Sequence, residues 1–122
     1  MLNPDVDTAA MVAQKSGTII HTIYFPGVGH WRRNFWVSTY GQGGMAKLSD
    51  ATGGESFFLG TQAPVSFSPY LDQLQQILDN QYLLTFSATP GKKADFQSVT
   101  VTTEVAGVDF STPGAVWVPV AK

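Results

Sequence analysis

The 122-residue chain carries a formal net charge of −2 at pH 7 and has a sequence pI near 5.4, so its overall charge gives no attraction to nucleic acid or to an anionic membrane surface. It has no cysteine, which excludes disulfides, thiolate metal sites and a cysteine nucleophile. Charged residues make up only 13 %, and the many Gly, Thr, Ser and aromatic residues are typical of strands and turns. The length predicts one domain, without a membrane span or a secretory signal at its start.

The first two predicted elements are a helix over residues 5–15 and a strand over residues 18–25. Asp5 or Asp7 is expected to be the N-cap of the helix, and Gly17 is expected to end it. The strand contains three isoleucines and no Gly, Pro or charged residue, so we expect both of its faces to be buried between helices. Such an arrangement indicates a layered α/β domain.

A long loop is predicted after this strand, because residues 26–40 show no clear periodicity. The glycine-rich stretch 41–44 that follows is expected to be a flexible lead-in to a short helix. Met45, Leu48 and Ala51 mark that helix, and residues 52–54, Thr-Gly-Gly, are expected to end it. A second buried strand is predicted over Ser56-Phe57-Phe58-Leu59.

The clearest predicted helix begins at Ser68, the expected N-cap, with Pro69 in the first helical position. Its expected buried stripe consists of Leu71, Leu74 and Ile77 or Leu78. Beyond it the periodicity changes to two, which predicts strands over residues 82–88 and 98–105 around a turn at residues 89–93. Two short strands, residues 108–110 and 115–118, are predicted after them.

Several stretches of the sequence resemble one known family, the von Willebrand factor type A domains. The first two stretches resemble the second half of such a domain, and the last three resemble a bacterial, acidobacterial-type subgroup labelled VWFA-related. These stretches are residues 9–24, AAMVAQKSGTIIHTIY; residues 48–58, LSDATGGESFF; residues 64–71, PVSFSPYL; residues 78–86, LDNQYLLTF; and residues 116–119, VWVP.

The resemblance implies a fold and a domain organisation. It implies a partial three-layer, Rossmann-like, von Willebrand type A-like α/β domain over residues 1–80. A β-rich extension with an antiparallel hairpin, residues 81–122, is expected to pack on the same domain. In a sheet of order 3-2-1-4-5-6 the chain would supply only the fifth and sixth strands, so the strand over residues 18–25 is expected to have an open edge.

Active members of the family bind a divalent cation through an Asp-x-Ser-x-Ser loop in the half of the domain that precedes these residues. The nearest string here, Asp109-Phe110-Ser111-Thr112-Pro113, has proline where the second serine should stand and lies at the wrong end. The resemblance therefore implies no metal or other cofactor site and no catalytic residue in this chain, since a divalent cation would need the absent half. Asp5 and Asp7 are interpreted as helix-capping residues, with a contribution near the family's metal end as the alternative.

One concentration of residues enriched in binding hot spots occurs in the predicted loop, between Gly29 and Tyr40. Packing of its aromatic rings back onto the sheet is the alternative, and contact with nucleic acid is disfavoured because two arginines in an acidic chain attract it weakly. The candidate partner-binding residues are His30, Trp31, Arg32, Arg33, Phe35, Trp36 and Tyr40.

The favoured hypothesis is a non-enzymatic, adhesion-type protein-interaction module, with a protein partner or a homo-oligomer formed through the open strand edge. An alternative is an enzyme or small-ligand domain with a pocket lined by His21 or His30, although His21 in a strand is more simply a hydrogen-bonded core residue. A third interpretation is the structural remnant of a truncated gene. The residues do not indicate a compartment; the intact parent is expected to be exported or in the cell envelope.

Overall fold

The fold is mixed α/β, with three helices and two small sheets in the part of the chain that the structure describes. The computed structural model describes residues 4–25, 34–60 and 65–120, and it describes only the backbone of residues 34–40. The elements are helix α1, Pro4–Ser16; strand β1, Thr22–Tyr24; helix α2, Asn34–Thr52; strand β2, Ser56–Phe58; helix α3, Ser68–Asp79; strand β3, Asp95–Ser98; and strand β4, Ala115–Val118. No helix within these described ranges is both long and apolar enough to cross a membrane.

The two sheets each contain two strands and differ in direction. Strands β1 and β2 are parallel, with Ile23 opposite Phe57, and α2 forms the crossover between them. Strands β3 and β4 are antiparallel, with Phe96 opposite Trp117, and the rings of this pair meet edge to face at 5.0 Å between centroids. The parallel pair and its crossover helix form a βαβ unit, whereas the antiparallel pair lies in the C-terminal third of the chain.

Helix α1 confirms the helix predicted near the N-terminus. It begins at Pro4, so Asp5 and Asp7 lie in its first turn and the prediction that one of them is the N-cap is wrong. Acidic residues in a first turn stabilise the helix through a favourable interaction with its dipole. Asp7 also forms an ion pair with Lys47 of α2. Gly17 ends the helix at a φ of 68°, as predicted.

Strand β1 is shorter and less buried than the sequence predicts. Only Thr22–Tyr24 pairs with β2, and the preceding Ile19 is 40 % exposed. The expectation of burial on both faces is wrong, because all three strand residues are only half-buried. The physical reason is that β2 itself has three residues, so the ladder cannot extend further toward Thr18.

Helix α2 corrects the prediction of a long loop with a flexible glycine lead-in. Its 19 residues begin at Asn34 and include all four residues 41–44, although it ends at Thr52 as predicted. Two of its glycines lie where a side chain would collide: a Cβ at Gly41 would meet Oη of Tyr24 at 2.8 Å, and a Cβ at Gly44 would meet Val6 at 3.3 Å. These glycines therefore serve close packing rather than flexibility, and packing outweighs their low helix propensity.

Helix α3 occupies the predicted residues but lacks the predicted burial. The residue that caps it is Phe67 rather than Ser68, and no side chain makes a capping hydrogen bond. The predicted apolar stripe is only partly covered, because Leu71 is 52 % exposed and Leu78 is 45 % exposed, while Leu74 and Ile77 are half-buried. No helix within the described ranges packs over this face, so Leu71 and Leu78 remain exposed to solvent.

The predicted hairpin of the C-terminal region is wrong in its pairing. Residues 82–88 form no strand; β3 lies over Asp95–Ser98 and pairs with β4, which occupies the predicted residues 115–118. Residues 108–110, predicted as a strand, are irregular. The predicted alternation is real nonetheless, since Val99, Val101 and Thr103 are half-buried and the threonines between them are exposed. The alternation of residue types along a segment indicates which of its faces is covered, but it does not identify the strand that pairs with the segment.

The best-packed region of the described chain surrounds the sequence Thr52-Gly53-Gly54 at the end of α2. The hydroxyl of Thr52, which is fully buried, accepts a hydrogen bond from the backbone N–H of Ile20 at 3.1 Å. Gly53, at a φ of 77°, packs against the backbone of Thr112 and Pro113, where a Cβ would come within 2.5 Å. The end of α2, the entry to β1 and the segment before β4 therefore meet at one point.

Candidate interaction surface

The predicted function depends on the outer edge of β1, which is the edge that faces away from β2. The backbone N–H of Thr22 donates to the carbonyl of Glu55 at 2.9 Å, and the carbonyl of Tyr24 accepts from the N–H of Leu59 at 3.1 Å. Thr22 and Tyr24 therefore direct their backbone groups toward β2, and in a parallel ladder the residue between them directs its groups to the opposite edge. The N–H and C=O of Ile23 thus lie on an edge that no strand of the described chain covers.

Helix α2 covers one face of the β1–β2 pair. Three hydroxyls join the layers: Thr22 Oγ1 lies 3.0 Å from Ser49 Oγ and donates to Ser56 Oγ at 2.9 Å. Ser49 is 1 % exposed, so this polar contact is made inside the structure. These hydroxyl groups contact one another, and none of these contacts is with a side chain that could act as a general base. We therefore assign them a structural role.

On the opposite face of the pair, α3 contacts β2 through one pair of aromatic rings. The rings of Phe57 and Tyr70 meet edge to face at 6.0 Å between centroids. Because Ile23 lies opposite Phe57 in the ladder, its side chain belongs to this same face. Of the described helices, α2 is the one that packs against β1, so the edge of β1 is covered on one face.

His21 precedes β1 and is hydrogen-bonded, as the sequence predicts. The backbone N–H of Glu55 donates to its Nδ1 at 3.0 Å. Its Nε2 is buried and has no hydrogen-bond partner among the residues that the structure describes. The hydrogen bond from Glu55 to Nδ1 joins the residue before β1 to the residue before β2, so His21 has a structural role. His30, the other candidate histidine, lies outside the described residues.

The predicted partner-binding residues fall into two groups. His30, Trp31, Arg32 and Arg33 lie outside the residues that the structure describes, so it does not test them. Phe35, Trp36 and Tyr40 lie in the first two turns of α2, so the part of the predicted loop that contains them is helical.

Two shallow depressions are present in the described chain, and no histidine lines either of them. The first, about 420 Å³, lies between β2 and α3 and is lined by Glu55, Phe57, Gln73, Gln76, Ile77 and Asn80. The second, also about 420 Å³, lies beside β4 and is lined by Phe86, Ala88, Pro90, Val116, Trp117, Val118, Pro119 and Val120. Sequence reasoning missed both, because each combines residues of a helix or strand with residues of a distant segment.

Metal ligands are not assembled in residues 4–25, 34–60 and 65–120, where no group of three or more His, Asp or Glu side chains is placed to hold an ion. The string Asp109-Phe110-Ser111-Thr112-Pro113 has a structural role instead. Its Ser111 Oγ donates a hydrogen bond to the carbonyl of Gly53 at 3.0 Å. The segment therefore joins the C-terminal region to the end of α2.

Comparison with known proteins gives no relative from which a function could be transferred. A scan against protein-family models, a search of curated proteins and a search of solved structures each found no match.

Proposed function

We propose that this chain is a non-enzymatic protein-interaction module that binds a partner polypeptide as an added strand along the outer edge of β1. The observation that carries the proposal is the outward direction of the Ile23 backbone groups, on an edge that no described strand pairs with and that α2 covers on one face. Unpaired N–H and C=O groups on a strand edge are a template for another strand. Each added backbone hydrogen bond contributes about 0.5–1.5 kcal/mol, and specificity comes from the side chains alongside.

The resemblance to von Willebrand type A domains supports the same geometry. In that fold the strands that correspond to β1 and β2 are the last two of a parallel, Rossmann-like sheet, and β1 has a neighbour on its outer edge. The proposed partner is therefore a parallel strand, contributed by the remainder of such a domain. Residues 30–40, with their arginines and aromatic rings, are proposed as a second contact with the partner.

The enzymatic alternative has less support. A histidine-dependent site needs a concave pocket in which the imidazole meets other polar groups. Nδ1 of His21 is engaged by the backbone of Glu55, and neither depression is lined by a histidine. Binding through backbone groups requires no such pocket.

A peptide selection tests the proposal directly. The full chain is used as bait for a displayed library of random 12-residue peptides, and the selected peptides are synthesised and titrated. We expect extended peptides rich in β-branched and aromatic residues, and we expect their binding to slow hydrogen exchange at the Ile23 amide. Protection confined to other amides would refute strand addition at β1.

Proline substitution supplies a matched pair of variants. Ile23→Pro removes an N–H on the outer edge of β1, and Phe58→Pro removes one on the outer edge of β2, so neither interrupts the ladder between them. We expect Ile23→Pro to weaken peptide binding by about tenfold or more, the effect of one lost hydrogen bond plus the blocked edge. Phe58→Pro should bind within about twofold of the parent chain. Equal losses in the two variants would contradict the proposal.

A further inference from the structure

A second surface of the molecule, far from β1 in the sequence, exposes an apolar segment without a partner strand. Residues 81–86 are irregular, and their large side chains lie in solvent: Tyr82 is 86 % exposed, Leu83 93 %, Leu84 62 % and Phe86 51 %. No charged residue occurs from Gln81 to Gly91. The composition is that of a strand, as the sequence predicts, but within the described chain nothing pairs with it.

The depression beside β4 offers an apolar wall of matching chemistry. All eight residues that line it are apolar, and Phe86 at the end of the exposed segment is one of them. The N–H of Val99 donates to the carbonyl of Gly114 at 3.1 Å, and Gln97 lies opposite Val116 two residues further along the ladder. Because antiparallel pairs alternate, Trp117 directs its backbone groups away from β3. The side of β4 away from β3 is thus an unpaired edge next to an apolar depression.

We propose that this chain forms a symmetric homodimer in which the segment Gln81–Phe86 of each copy docks along β4 of the other. Two features select a second copy as the occupant. The segment and the depression lack charged residues, so the contact creates no like-charge repulsion when the same surface is used twice. Each copy also carries both halves of the contact, the apolar strand-like segment and the unpaired edge.

The exposed area supports an interface of this size. The four exposed side chains of the segment alone present roughly 600 Å² if each is taken as about 200 Å² when fully exposed. A standard interface buries about 600–1,000 Å² per partner, so the segment supplies the lower end of the area that a stable dimer needs.

Sedimentation of charge variants tests the dimer. Leu84→Lys places a charge in the segment at a residue that is 62 % exposed, and Val105→Lys is the matched control at a residue that is 64 % exposed outside it. We expect the parent chain and the control to sediment as dimers. We expect Leu84→Lys to raise the dimer Kd by about thirtyfold or more, the effect of losing one hot-spot side chain. A monomeric parent chain, or equal behaviour of the two variants, would overturn the inference.

Cross-linking tests the arrangement of the two copies. The chain has no cysteine, so introduced cysteines are the only thiols. We expect a short bismaleimide to couple chains carrying Leu84→Cys to chains carrying Val120→Cys, a position that lines the depression. Coupling to Val105→Cys that is equally efficient would refute docking beside β4. Ile23→Pro should leave the dimer intact, so failure of this inference is distinguishable from failure of the strand addition at β1.

Discussion

Two glycine-to-alanine substitutions test the packing described above: one is expected to lower the free energy of unfolding and the other to raise it. A Cβ at Gly54 would lie 2.0 Å from the carbonyl oxygen of Ile20 and 2.6 Å from its carbonyl carbon. Both are backbone atoms, so no side chain can rotate to relieve the collision. At Gly43, inside α2, a Cβ would meet no atom of the described residues within 4 Å.

The magnitudes follow from these contacts. Relief of the collision at Gly54 requires a backbone displacement of more than about 1 Å, since non-bonded carbon and oxygen atoms approach to about 3.3 Å. Such a displacement breaks the hydrogen bond from Ile20 N–H to Thr52, 3.1 Å, and strains the bond from Thr22 N–H to Glu55, 2.9 Å. Unmade hydrogen bonds of buried groups cost about 1–3 kcal/mol each, so Gly54→Ala should lower the free energy of unfolding by about 3–5 kcal/mol.

Gly43→Ala should instead raise the free energy of unfolding by about 0.5–1 kcal/mol, because alanine has the higher helix propensity and loses no contact. Urea unfolding followed by circular dichroism at 222 nm measures both changes, with similar slopes expected for the three chains. The reasoning is refuted if Gly54→Ala unfolds within 1 kcal/mol of the parent chain. It is equally refuted if Gly43→Ala is as destabilising as Gly54→Ala.

Two further substitutions address single contacts. Thr52→Val removes the acceptor of the Ile20 N–H at nearly constant volume, so we expect a loss of about 1–3 kcal/mol in urea unfolding, whereas Thr52→Ser, which keeps the hydroxyl, should lose less. A Thr52→Val chain that unfolds at the same urea concentration as the parent chain would refute this role of the hydroxyl. Lys15→Gln removes the cation that lies 4.3 Å from the centroid of the Trp117 ring, so we expect a loss of about 0.5–1 kcal/mol and a change in tryptophan fluorescence. An unchanged emission spectrum would show that the ammonium group does not contact the ring.

The ends of two helices could be predicted from the sequence, because the residues that form their C-terminal caps lie close together in the chain. Gly17 and Gly53 take positive φ, and the residue after each glycine donates a Schellman-type hydrogen bond: Thr18 N–H donates to the carbonyl of Ala13, and Gly54 N–H donates to the carbonyl of Ser49. These bonds connect residues five apart, so the residues themselves specify them. Strand β4 could be predicted for a related reason, since a β-branched and aromatic run after Gly114 favours extended backbone.

Glycine within a helix is a case that sequence reasoning resolves poorly. Residues 41–44 indicate flexibility when they are considered alone, because glycine is a weak helix former. The structure places them in α2, where Gly41 admits the Tyr24 ring and Gly44 admits Val6. Both neighbours are more than 15 positions away in the sequence, so only the folded chain brings them to the helix.

Local chemistry therefore determined where the helices of this chain end and which residues alternate between covered and exposed. Pairing was decided by the tertiary structure: which strand lies beside β1, that β3 pairs with β4 rather than with residues 82–88, and which apolar side chains stay in solvent. The physical reason is distance along the chain. The hydrogen bonds that end a helix connect residues five positions apart. A strand edge, in contrast, can pair with any segment whose register and buried face match those of the strand. The two proposed interaction surfaces are edges of this kind.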